Sequence, residues 1–325
     1  MSFDEALGEF CKEAERKLQF LRDVALERQP RRDIIYHYTD HSGLRGIVEN
    51  GNLRFTSIFN LNDPSEIQHG FQELNRAVRH KFGSNKDDKD GEKFTLGFRS
   101  FFRDGGIQQA ADIFVCCFSR EGDDLGQWRA YAADARGFAL GFDSKLMCDA
   151  FAADARKLPD CVGEYLEFPV TYDDPKRECN DPIQPRIRSL QDELAQLAKI
   201  PFSASTDDDQ KRRVGAYLSQ FGIELAMAFK HRAYENEHEH RFLQVHKVTG
   251  SAPNVLICER GKWLARYREM PWRLAPNTLR EVRIGPPADR DRAEQFVRDC
   301  LKVHHHLEAI NVEISEIPYR SHAIE

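Results

Sequence analysis

The chain has 325 residues, of which 41% are apolar, enough to bury a sizeable core and more than a typical single domain holds. A formal net charge of -6 excludes a protein that coats nucleic acid through bulk electrostatics, though not one with a local basic groove. The eight cysteines show no paired metal spacing, and no run approaches the roughly 18 to 20 apolar residues of a membrane span; a soluble cytoplasmic protein with reduced thiols is expected.

Residues 3 to 28 place Phe3, Ala6, Leu7, Phe10, Ala14, Leu18, Leu21 and Ala25 at near-helical spacing, which predicts an N-terminal amphipathic helix set apart from a domain over 31–325. A strand follows at Ile34 to Tyr38, then a helix over Ser42 to Asn50 stopped by Gly51, then a strand at Leu53 to Ser57. Asp63-Pro64-Ser65-Glu66 reads as a capped helix start, running to about His80, and residues 84 to 93 as a loop. Ile113 to Ser119 is a buried strand, Asp124 to Ala133 a helix, Gly137 to Phe142 a strand, and 162 to 172 an extended stretch. Polar stretches at 173 to 183 and 201 to 212 flank helical segments at about 184 to 199 and 212 to 231, a helical insertion between strands. Further strands are expected at 239 to 247, 255 to 258, 280 to 284 and 310 to 316, with a helix near 288 to 302.

Tyr234-Glu235-Asn236-Glu237-His238-Glu239-His240-Arg241-Phe242 carries acidic side chains at every second position. Were it all one strand, Glu235, Glu237, Glu239 and Arg241 would share a face about 6 to 7 Å apart. Like charges so close raise one another's proton affinity or demand a cation. A solvated edge strand would carry the same pattern. His37, in a strand-to-helix turn, either presents a ring nitrogen to a ligand or serves as a satisfied structural histidine. Trp128 and Tyr131 are large enough to wall a pocket, and Trp128 also suits a core. No phosphate-binding glycine loop, dinucleotide fingerprint, zinc helix or nucleophile elbow is present. The histidines at 238, 240 and 304–306 would supply metal ligands only if brought together, and no metal is assigned.

Tyr36-His37-Tyr38-Thr39, Leu61-Asn62-Asp63-Pro64-Ser65-Glu66, Phe118-Ser119, Trp128-x-x-Tyr131, Gly137 to Phe142 and Glu237-x-Glu239-x-Arg241, in that order over roughly 34 to 318, resemble the bacterial family called domain of unknown function 2971. A more remote resemblance is to ADP-ribosyltransferases, through His37-Tyr38-Thr39 leading to Gly51-Asn52-Leu53, through Ser119, and through Glu237-x-Glu239, a pair similar to that of arginine-targeting members. It departs from them in that Phe118 and Arg120 flank Ser119, with no Ser-Thr-Ser triplet.

That second resemblance implies an α+β fold built on a mixed or split antiparallel sheet with inserted helices, and an enzyme using NAD as substrate. Glu239 would stabilise the oxocarbenium-like state of nicotinamide loss, and Glu237 would orient or deprotonate the acceptor. His37 and Thr39 would hold the adenosine ribose or a phosphate, with Ser119 nearby, Tyr131 or Trp128 stacking on nicotinamide and Arg241 neutralising charge. It further implies a toxin or antiviral defence effector acting on a protein or nucleic-acid acceptor under a restraining partner, with the N-terminal helix a candidate docking element. A metal-dependent nuclease and a noncatalytic nucleotide-sensing subunit are the alternatives.

Overall fold

The computed structural model describes residues 33–61, 111–155, 164–173, 227–247, 254–260, 262–286, 290–303 and 309–319, with five positions near the N-terminus. Those five, Glu5, Gly8, Glu9, Lys12 and Arg16, are helical and exposed. The other residues of 3–28, the helix expected from Asp63 to His80, the loop expected at 84–93, the segment 174–226 and the histidines 304–306 lie outside the described residues.

Twelve strands and four helices follow from Ile34 onward among the described residues. They are β1 (Ile34–Thr39), α1 (His41–Asn50), β2 (Asn52–Ser57), β3 (Ala111–Ser119), α2 (Leu125–Tyr131), β4 (Phe138–Asp143) and α3 (Ser144–Ala155), then β5 (Glu164–Pro169), β6 (Thr171–Asp173), β7 (Phe229–His231), β8 (Glu239–Lys247), β9 (Leu256–Arg260), β10 (Trp263–Pro271), β11 (Leu279–Ile284), α4 (Arg290–Val303) and β12 (Asn311–Ile314). The α+β class is therefore as expected, on a mostly antiparallel sheet.

Local chemistry sets the boundaries. Asp40 caps α1 by accepting from the Gly43 amide at 2.7 Å, and its carboxyl is held below the usual range by that bond. Gly51 ends the helix at φ 68°, a left-handed conformation that only glycine adopts without cost, and returns its N–H to Ile47 O at 3.0 Å. Asp124 caps α2 in the same way through Gln127 N.

Ten of the strands form one sheet with β3 as its junction. Along one edge β3 pairs with β8 through its whole length, from Ala111↔Lys247 to Ser119↔Glu239, and β8 pairs with β5 beyond. Its other edge is divided. The N-terminal half meets β2 at Phe114 and Val115, while the C-terminal end meets β1 at Ser119. From there β1 continues into β4, β11 and β12, and β2 into β10 and β9, so the sheet parts between β1 and β2 over Cys116, Cys117 and Phe118. A second, two-stranded sheet joins β6 and β7 in parallel.

One face of the large sheet carries the main core, in which Ile35, Phe114, Phe118, Leu140, Phe142 and Phe242 meet Leu44 and Val48 of α1, Met147 and Phe151 of α3, and Val297 and Leu301 of α4. The opposite face carries a smaller cluster of Tyr36, Tyr38, Trp128, Ala132, Ala135 and Ala139. Alternation along β1 divides its residues between these faces.

Two sequence expectations need correction, and two elements, α3 and β10, were not anticipated; the strand expected at 239 to 247 is present with those bounds. Phe229–His231 is strand β7 rather than the end of a helix over 212 to 231. Arg232–Glu237 is a 3-10 turn capped by the His231 ring, and His238 adopts the left-handed region at φ 45°, so the strand begins only at Glu239. Glu235 and Glu237 therefore do not share a strand face with Glu239 and Arg241. Helix α3 follows β4 without any glycine or proline, its start fixed by Asp143 accepting from Leu146 N at 3.0 Å. Strand β10 was hidden by Arg266, Arg268 and Glu269, polar residues within a strand whose Ala265, Tyr267 and Met270 are buried.

Candidate functional site

Where β1 and β2 part, they leave a cleft of about 340 Å³ lined by Tyr36, His37 and Tyr38 of β1, Arg54 and Thr56 of β2, residues Val115 to Ser119 of β3, and Gln127, Tyr131, Lys230, Tyr234, Glu237 and Glu239. That volume lies within the range of small-molecule sites.

Glu239 and Arg241 lie on one face of β8 because they are two residues apart. Arg241 Nε donates to Glu239 Oε1 at 2.8 Å, Nη2 donates to Oε2 at 2.9 Å, and Nη1 donates to Met227 O at 2.9 Å. Both side chains are buried, Arg241 completely. Lys230, on β7, donates to Glu239 Oε2 at 3.1 Å, and the Cys117 thiol hydrogen-bonds to the same carboxylate. Burial alone would push the Glu239 carboxyl up, but Arg241 with its hydrogen bonds, together with Lys230, outweighs it and holds the group at about 2. Glu239 is thus a fixed anion with its oxygens already occupied by donors. The backbone is fixed as well, since Glu239 N–H donates to the Tyr172 hydroxyl at 2.7 Å and Glu239 O accepts from Val170 N–H at 2.9 Å.

Glu237 stands differently. Its Oε2 accepts from Lys230 Nζ at 2.5 Å and its Oε1 from the Tyr131 hydroxyl at 2.8 Å, and its side chain remains 18% exposed at the cleft. Its main-chain carbonyl accepts from Ser119 Oγ at 2.9 Å, and the same hydroxyl oxygen accepts from Glu121 N–H at 3.2 Å. The 3-10 turn is further tied to β3 by Arg120 N–H donating to His238 O at 2.9 Å. Tyr131 is 42% exposed, its hydroxyl pushed up first by burial and then by the charge of Glu237. Lys230 lies over the Tyr234 ring at 4.8 Å.

His37 faces the main core with Leu140 and Ile35, opposite Glu239, and reaches the cleft through the parting of the strands. Its ring packs on Phe118 at 5.5 Å, and its Nδ1 is 3.1 Å from Cys117 O. A carbonyl can only accept, so Nδ1 carries the proton and Nε2 is the acceptor nitrogen. Burial lowers the His37 pKa, against the opposing pull of the Cys117 bond, and the imidazole is neutral near pH 7.

Of the residues singled out in the sequence, Glu237, Glu239, His37, Ser119 and Tyr131 meet at the cleft, with Arg241 directly beneath Glu239. Two do not. Trp128 is fully buried, edge-on to Tyr38 at 4.8 Å, and donates its indole N–H to Asp123 Oδ1 at 2.7 Å, which makes it a core residue rather than a stacking wall. Thr39 does not line the cleft but packs on the first turn of α1, where a Cβ added to Gly43 would fall 1.8 Å from Thr39 Oγ1. Lys230 was missed because it lies in a segment read as helix. A lysine directly after the apolar run from Met227 to Phe229 was the signal that could have found it. Among the described residues, no group of three or more His, Cys, Asp and Glu side chains is arranged to hold a metal ion, and no helix is long and apolar enough to cross a membrane.

The sequence model of a family described as "Protein of unknown function (DUF2971)" matches residues 127–242. The match begins within α2, takes in Tyr131 and closes just past Arg241, so it includes Lys230 and both glutamates of the cleft. It supports the family resemblance read from the motifs. No curated protein and no solved structure matches the chain.

Proposed function

We propose that the cleft binds NAD and breaks its nicotinamide–ribose bond, passing ADP-ribose to an acceptor or to water. The observation that carries this reading is the braced carboxylate at the head of β8. Held ionised by Arg241 and Lys230 in a buried position, Glu239 places a fixed negative charge at one end of a cleft of small-ligand size. Loss of nicotinamide passes through an oxocarbenium-like state, and a preorganised anion in a site of low dielectric favours developing positive charge more than water does. Tyr131 and Tyr234, both partly exposed, offer ring faces for nicotinamide, and the His37 acceptor nitrogen suits a ribose hydroxyl. Unrestrained consumption of NAD in the cytoplasm harms the cell that makes such an enzyme, which suits a toxin or antiviral defence effector held by a partner.

The test is incubation of the full chain with NAD labelled in its adenylate half, following nicotinamide release and the fate of the label, with Glu239→Gln as control. Release by the wild type and its loss in a folded Glu239→Gln variant is the expected result. Equal turnover by the variant overturns the role of Glu239, and no release by the wild type overturns the reading.

One observation favours a second reading, that the cleft binds a nucleotide without turning it over. Both oxygens of Glu239 already accept from Arg241, so it is saturated as a ligand-binding group. NAD binding without nicotinamide release would establish that alternative.

A further inference from the structure

The NAD reading leaves the acceptor open, and Lys230 narrows it. The residue is 5% exposed, and its ammonium bridges Glu237 Oε2 at 2.5 Å and Glu239 Oε2 at 3.1 Å. Arg241 takes both oxygens of Glu239, and the Tyr131 hydroxyl takes the second oxygen of Glu237. At this end of the cleft two carboxylates thus face two cations, and neither carboxylate lacks a positive partner. A guanidinium or ammonium group approaching Glu237 would come against Lys230 at close range, in a site of low dielectric where like charges repel far more strongly than in water. A hydroxyl group brings no charge, and its proton is what a carboxylate at the cleft mouth accepts.

We propose that Lys230 makes this site select a neutral hydroxyl acceptor, water or an alcohol, and reject cationic acceptors such as an arginine side chain. The donor half of this proposal rests on the NAD reading; the exclusion of cations from Glu237 does not. In the transfer step the bond from ribose C1′ to the nicotinamide nitrogen breaks and its electron pair leaves with neutral nicotinamide. A lone pair of the acceptor oxygen forms the new C1′–O bond, and the hydroxyl proton passes to the Glu237 carboxylate and then to solvent. Glu237 is the catalytic residue of this step because it touches the acceptor. Lys230 is a positioning residue, which holds Glu237 against Glu239 and closes that carboxylate to cations.

Strand β7 makes this arrangement durable. It pairs in parallel with β6, placing Lys230 opposite Tyr172, whose hydroxyl accepts from the Glu239 amide. Met227, three residues before Lys230, supplies the carbonyl that receives Arg241 Nη1. The same short segment therefore fixes both cations relative to the two carboxylates. Lys230 has the Tyr234 ring beside it as well, which leaves its ammonium little freedom to swing aside for an incoming charge.

Calorimetric titration with agmatine, a soluble guanidinium probe, tests the exclusion without NAD. Lys230→Met is expected to bind agmatine at least about a hundredfold more tightly than the wild type, and adding Glu237→Gln is expected to abolish that gain. With labelled NAD, the wild type should pass ADP-ribose to water or glycerol in preference to agmatine, and Lys230→Met should reverse the preference. Should Lys230→Met fail to fold, Lys230→Met/Glu239→Gln restores the charge balance and carries the agmatine titration, which needs no turnover. Agmatine binding to the wild type within a few-fold of the variant, or wild-type transfer to agmatine in preference to water, overturns the proposal. A wild type that releases no nicotinamide overturns the NAD reading alone, and the agmatine titration then still decides whether Lys230 shuts out cations.

Discussion

Arg241 reaches across one turn of the β8 pleat to grip Glu239 with two hydrogen bonds, at 2.8 and 2.9 Å, both partners buried in the sheet. A buried pair of this kind contributes modestly against a well-packed apolar alternative, but removal of one partner strands the other's charge. Arg241→Met is expected to destabilise the fold by about 3 to 5 kcal/mol. Arg241→Met/Glu239→Met should recover part of that loss, and urea unfolding of the single and double variants measures both. A single variant as stable as the wild type would refute the pairing.

The depressed carboxyl of Glu239 has a pH signature. Its folded value, about 2, lies below the ordinary 4.5, so the folded form binds fewer protons than the unfolded one in this window. The stabilisation is fully present above about pH 4.5 and is lost as the pH falls through the folded value near 2, a total of about 3 kcal/mol. Glu239→Gln should flatten the decline of stability between those limits. Parallel urea midpoints for wild type and variant across that range would contradict the assignment.

His37 should remain neutral below the usual histidine range, with its proton on Nδ1. Nitrogen chemical shifts across a pH titration distinguish the two tautomers and locate the midpoint. A proton on Nε2 at neutral pH would count against the Cys117 bond, and a midpoint at or above 6.5 against the burial. Because the folded value is lowered, the contribution of this ring to stability is present above pH 6.5 and is lost as the pH falls through the folded value.

Trp128→Phe removes the indole hydrogen bond to Asp123 from a fully buried site. A loss of about 1 to 3 kcal/mol in folding stability is expected, with ligand affinity at the cleft unchanged. A large drop in NAD affinity with little loss of stability would return Trp128 to the binding wall.

Ser119→Ala leaves Glu237 O and Glu121 N–H without their shared hydroxyl and should cost about 1 to 2 kcal/mol. Since that hydroxyl fixes the backbone of Glu237, the same variant should weaken any activity that depends on Glu237 while sparing the Glu239–Arg241 pair. Unaltered activity in a folded Ser119→Ala protein would show that the turn is held without it.

Much of the sheet was legible because its strands are short apolar runs ended by strong punctuation. Asn50-Gly51 stopped α1 where expected, and Phe118-Ser119 marked the end of β3. The acidic run misled in an instructive way. Glu235, Glu237 and Glu239 imitate the period of a strand, yet a left-handed His238 splits them and turns Glu237 toward Tyr131 and Lys230. Backbone conformation at a single histidine is not written in a hydropathy pattern. Lys230 was hidden for a different reason: it lies in a segment read as helix, its partners lie in the 3-10 turn and at the start of β8, and a lone lysine reads as surface until the packing that buries it is known. Trp128 suited either a core or the cleft, and nothing local decided between them: it packs on Tyr38, while Gln127 beside it and Tyr131 three residues on line the cleft.

The parallel pairing of β6 with β7 has a consequence for how the protein could be taken apart. Everything before residue 174 carries Tyr36, His37, Cys117, Ser119, Tyr131 and Tyr172; everything after 226 carries Lys230, Glu237, Glu239 and Arg241. Pairings of β2 with β10, β4 with β11, β5 with β8 and β6 with β7 cross between these halves, and the longest crossing is the β3–β8 ladder, with Ser119 opposite Glu239 at its end. Neither half alone possesses a cleft, so two separately produced fragments would be inert until mixed, and the recovery of ligand binding on mixing would report the assembly of that ladder.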